Sequence, residues 1–132
     1  MTAARRLFPM LSVASLDRAL AFYAGLLGGQ EAYRFPSRGP AAFVTLAFGD
    51  TELGLGALGA APPLHGQPLR PASGHRIELC VYVDALDATV ERAGAAGVAV
   101  LLAPTPQPWG ERVAYLQDPD GNLVMLVEPR SA

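Results

Sequence analysis

The sequence is short of the residues that several function classes require. It has one cysteine, Cys80, in 132 residues, which excludes an intrachain disulfide and suits a reducing compartment. Charged residues make up only 17% and the formal charge is -2, without the clustered arginine or lysine that neutralises nucleic-acid phosphates or anionic lipid. Nucleic acid and membrane are therefore set aside as partners. No apolar run approaches the roughly 18 residues that spanning a bilayer requires. Arg5 and Arg6 precede the apolar run LFPMLSVA, but Pro9 interrupts it and an amphipathic helix follows directly, so a signal peptide is rejected. The expectation is a soluble cytoplasmic protein. What the chain does have is apolar bulk, 51% of its residues, enough for one compact domain or two small modules sharing a core.

The chain also repeats itself. VASLD at Val13 to Asp17 returns as VDALD at Val83 to Asp87, 70 residues later, and a strand pattern precedes each copy while a helix pattern follows. Leu7, Pro9, Leu11 and Val13 alternate with Phe8, Met10 and Ser12. In the second copy Ile77, Leu79, Val81 and Val83 alternate with Glu78, Cys80 and Tyr82. The first helix is predicted to start at the N-cap Ser15, to bury Leu16, Leu20, Tyr23 and Leu27, and to stop at Gly28 and Gly29. The second is predicted from about Asp84, with Leu86, Val90 and Ala93 inward, to Gly97. Three strands are predicted after each helix: 31–35, 43–48 and 53–58, then 98–102, 112–117 and 123–127. A proline- and glycine-rich connector, 59–74, separates a first module at 1–58 from a second at 75–132. Each half is too small to bury its helix and sheet well alone, so the two modules are expected to pair through their sheets, within one chain or across a dimer, as one structural domain.

Two βαβββ modules, a helix carrying LDRALAFYAGLLGG, the dipeptide Trp109–Gly110 and DPDGN before the last strand resemble the vicinal oxygen chelate superfamily, which includes glyoxalases, extradiol dioxygenases, fosfomycin-modifying enzymes and metal-free bleomycin-resistance proteins. The resemblance runs from about Leu7 to Pro129. It implies an α+β fold in which the modules form a cupped mixed sheet with helices on its outer face. It also implies a homodimer. In the metal-dependent members, one side chain from the first strand and one from the last strand of each module bind a divalent ion. Carried onto this chain, those positions fall on Phe8, Glu78, Met125 and somewhere in Leu53 to Leu58, a segment without a side-chain donor. A lone carboxylate is not a catalytic metal site, and a thioether is a poor ligand for a hard ion. The expectation is therefore no metal and no cofactor, with Met125 packing as an apolar filler.

DPDGN does not replace the missing site. An EF-hand loop places its glycine sixth, after three spaced oxygen donors, whereas Gly121 is fourth from Asp118. Pro119, Asp120 and Gly121 each suit a tight turn instead. His65 lies in the connector. His75 stands three residues before Glu78 and so is expected on the opposite face of the strand. Both histidines are expected at the surface.

The inward face then carries Phe8, Met10, Ser12, Glu78, Cys80, Tyr82 and Met125, a mixture that suits a small organic ligand and that would otherwise simply fill a core between the modules. Trp109 is expected to cover the pocket mouth, a partner subunit or its own core. Arg112 stands ready for an anionic group, as a solvated strand-end residue, or as a partner for Glu78. Glu78 has two readings. Buried without a cation it would be a raised-pKa general base or an anchor for a cationic ligand; paired with an arginine it would only organise the cup. Cys80 lacks a nearby base and is expected to be a buried small hydrophobe. The expected function is metal-free sequestration of a drug or metabolite, as in the bleomycin-resistance branch. The alternatives are a divalent-metal lyase or dioxygenase and metal-free catalysis with Glu78 as base.

Overall fold

The computed structural model describes residues 4–60, 62, 64–71 and 73–129. The chain divides into two compact units, Met1–Arg70 and Pro71–Ala132, with the boundary inside the expected connector. Each unit contains one four-stranded mixed sheet and helical structure, an α+β fold.

In the first unit the order is β1 (Met10–Val13), α1 (Leu16–Leu20), β2 (Gln30–Phe35), β3 (Phe43–Phe48) and β4 (Thr51–Ala57). The sheet runs β1-β4-β3-β2, with β1 parallel to β4 and the other pairs antiparallel. In the second unit the order is β5 (Glu78–Tyr82), α2 (Leu86–Ala95), β6 (Val100–Pro106), β7 (Arg112–Gln117) and β8 (Leu123–Glu128). Its sheet repeats the pattern as β5-β8-β7-β6. The two βαβββ readings thus describe the element order of both units.

The first helix departs from expectation after one turn. Ser15 caps it, its hydroxyl accepting from the Arg18 N–H at 3.2 Å, but from Ala21 to Leu26 the backbone becomes π-helical. Hydrogen bonds five residues apart, such as Leu27 N–H to the Phe22 carbonyl at 3.1 Å, widen each turn and rotate the apolar face away from a 3.6-residue phase. The buried residues are Ala19, Phe22 and Tyr23, the last as expected, while Leu16, Leu20 and Leu27 are only half-buried. On α2 the residues buried are Leu86, Thr89 and Ala93, with Val90 half-buried. The Thr89 hydroxyl donates to the Ala85 carbonyl at 2.7 Å, which lets a polar side chain face the core.

Each sheet buries one face. Val13, Val44, Leu46, Leu53 and Leu55 form the buried set in the first unit, and Ala114, Leu116, Val124 and Leu126 in the second, beneath α2. Because side chains alternate along a strand, the residues between them line the opposite face, where the candidate site lies.

Candidate functional site

In the first unit, Phe8, Met10 and Ser12 share the face opposite the buried set. The pairing Met10↔Gly54 resolves which residue of β4 stands at the uncertain metal position. Parallel pairing in the second unit sets Met125 beside Cys80, the repeat counterpart of Met10, so Gly54 is the counterpart of Met125. Space there is limited by a flexible side chain. A Cβ on Gly54 would collide with the Met10 sulphur and approach the Phe43 and Phe8 rings at 3.3 Å. The position is thus closed by apolar side chains. Glu52 lies two residues away on the same strand, where it forms an ion pair with Arg6, whose guanidinium stands 5.1 Å over the Phe8 ring.

In the second unit, Glu78, Cys80 and Tyr82 on β5 stand beside Leu123, Met125 and Val127 on β8, which in turn face Gln117, Tyr115 and Val113 on β7. The Tyr115 hydroxyl crosses β8 and donates to Glu78 Oε1 at 2.6 Å. That hydrogen bond, partial burial and the carboxylate charge, with a smaller contribution from Cys80, push the phenol up to about 12. At the other end, Glu111 accepts from two rings. Tyr82 donates to Oε2 at 3.0 Å and the Trp109 indole N–H donates to Oε1 at 2.8 Å.

Three expectations change here. Glu78 is exposed rather than buried, because it lies at the start of a strand on the uncovered face, and its hydrogen-bond partner is Tyr115 rather than an arginine. Cys80 is exposed as well; its thiol is pushed up by desolvation first and by the Glu78 charge second, which leaves it a poor nucleophile. Arg112 belongs to the other face. Its guanidinium meets both Asp87 oxygens at 2.9 Å and Glu128 at 3.0 Å, joining β7 to α2 and β8, so its charge is raised in pKa and Asp87 is held below the usual carboxylate range. Parity fixes this, since Arg112 pairs with Glu128 while Tyr115 pairs with Met125.

The histidines lie away from this arrangement. Both are exposed, and His65 Nδ1 accepts from the Gln67 N–H at 3.0 Å. DPDGN forms the turn between β7 and β8. Asp118 Oδ1 accepts from the Asp120 and Asn122 N–H groups at 2.9 and 2.8 Å, and Gly121 takes a φ of 86°. Among the described residues, no three His, Cys, Asp or Glu side chains are grouped to hold a metal ion.

A family model described as the Glyoxalase/Bleomycin resistance protein/Dioxygenase superfamily matches residues 7–126. The chain belongs to this superfamily. A solved superfamily enzyme from Burkholderia phytofirmans is 26% identical, with a TM-score of 0.77 over 92% of this chain and 95% of that one. A superfamily member from Sphaerobacter thermophilus is 25% identical, with a TM-score of 0.72 over 96% and 98%. Among curated relatives, "Putative glyoxylase CFP32" of Mycobacterium tuberculosis and of Mycobacterium bovis is 33% identical over 113 residues, 86% of this chain. The chain spans 40% of the length of those relatives.

The superfamily implies a divalent ion for its metal-dependent members, and this donor set does not fit one. Phe8 and Gly54 offer no ligand, Met125 offers a thioether, and the remaining carboxylate, Glu78, already accepts from Tyr115. Tyr115 and Glu111 were not among the residues singled out from sequence. Tyr115 had a signal: a turn at DPDGN sets it opposite Met125. Glu111 precedes its strand and had none.

Proposed function

We propose that the chain binds a small organic molecule without a metal ion and holds it unchanged, a sequestering role of the bleomycin-resistance type. The observation that carries this reading is the Glu78–Tyr115 hydrogen bond. Where a metal-dependent relative would present a carboxylate to an ion, this carboxylate is served by a phenol, and the neighbouring positions are apolar. A metalloenzyme reading would need ligands beyond Glu78 at these positions. Beside that bond Cys80 and Tyr82 are exposed and Leu123 and Met125 half-buried, a mixture of apolar, aromatic and polar side chains that suits a ligand site. Homodimer formation belongs to the same proposal.

The test is recovery of ligand. Protein is saturated with candidate drugs and metabolites, freed of excess and denatured, and the released molecules are compared by mass with those supplied. Sequestration predicts stoichiometric release of unaltered ligand. A product mass that disappears in Glu78→Gln while binding persists would instead establish catalysis with Glu78 as base.

A further inference from the structure

Two tyrosine–carboxylate bridges cross the second sheet in opposite senses. Tyr82 reaches from β5 to Glu111, which directly precedes β7, and Tyr115 reaches from β7 back to Glu78 on β5. On each side the tyrosine and glutamate are four residues apart, on the order of 13 Å along a strand. Cys80 and Met125 lie side by side between the bridges.

The donors in both bridges are neutral. A phenol or an indole fixes a carboxylate in place but leaves its charge uncancelled. Among the described residues neither Glu78 nor Glu111 makes an ion pair. Arg112, next to Glu111 in sequence, is committed to Asp87 and Glu128 on the helix side. The rings beside the carboxylates are uncovered: Tyr82 is 62% and Trp109 49% exposed, although Glu111 holds the polar end of each. Fixed aromatic faces beside an uncompensated carboxylate attract an organic cation twice over, by charge and through the ring quadrupole. One hard metal ion needs several oxygens around a single point, which carboxylates this far apart do not provide. Anions meet repulsion at both ends.

We propose that this frame binds an elongated organic cation with two basic groups, one at Glu78 and one at Glu111, its apolar middle lying over Cys80 and Met125. The assignment rests on the binding role proposed above and names the class of ligand. Glu78 and Glu111 set the charge preference, and Trp109 and Tyr82 supply the stacking surface.

The full chain is titrated at low salt with four kinds of probe, followed by calorimetry and by emission of the single tryptophan, Trp109. The probes are linear bis(trimethylammonium) alkanes of increasing length, the corresponding monocation, the disulfonates of matched length and the neutral diol. The dication is expected to bind about tenfold more tightly than the monocation, and the disulfonate not at all. Glu78→Gln and Glu111→Gln are each expected to reduce the dication to the monocation's affinity, with circular dichroism spectra unchanged at the titration temperature. Glu111→Gln retains an acceptor oxygen for the indole, so its loss of affinity reports charge. If the diol or the disulfonate binds as tightly as the dication, the cation assignment is overturned while small-molecule binding stands. If no probe binds, the cation assignment falls, and the ligand-recovery test alone decides the binding role.

Discussion

Tyr115 and Glu78 share one proton donor and one negative charge, so each reports on the other. The folded-state phenol lies near 12, above the ordinary tyrosine value of about 10. Its stabilising contribution is therefore fully present below pH 10 and is lost as pH rises through about 12. Glu78→Gln should bring the Tyr115 titration down towards the ordinary value, read as the difference between ultraviolet titrations with and without Tyr115→Phe. An unmoved titration would remove Glu78 as the cause. Gly54 makes a separate prediction at the same scale. Gly54→Ala should cost about 1–3 kcal/mol by overpacking, because the added methyl meets the Met10 sulphur and two rings. Met10→Ala in the same chain should recover part of that loss in urea unfolding. Equal costs in the two backgrounds would rule out the contact.

At the scale of elements, the Arg112 ion pairs tie β7 to α2 and β8. Asp87 is held below the usual carboxylate range, so its contribution is present above the unfolded value of about 3.9 and is lost as pH falls through the lower folded value. The melting temperatures of wild type and Asp87→Asn should differ at pH 7 and converge as pH falls through the lowered Asp87 value. A pH-independent gap would show that Asp87 acts through packing. Because the pair is exposed, Arg112→Ala should lower the melting temperature only slightly. Strand faces were legible wherever alternation is strict, and Glu78, Cys80 and Tyr82 do share one face. Arg112 was singled out for its closeness to Trp109 in sequence, and only the pairing of β7 with β8 shows that it faces α2 instead. The helix was legible at its Ser15 start, at buried Tyr23 and at its Gly28 stop, but not in between, since no local rule announces a π-helical segment.

For the whole molecule, the repeat of 70 residues was the most informative signal, because each copy must place a strand, a helix and three strands in the same order to cover one sheet. Both sheets obey it, with their strands in corresponding orders. The same repeat aligns Gly54 with Met125, a correspondence that the uncertain spacing of β4 had concealed from sequence. No helix among the described residues is long and apolar enough to cross a membrane. Native mass spectrometry of chain purified without chelator, then offered Zn²⁺, Ni²⁺, Mn²⁺ and Fe²⁺, reports subunit count and metal in one spectrum. Metal-independent binding predicts a dimer that retains none of the four ions, whereas one ion per chain, lost in Glu78→Ala, would contradict it.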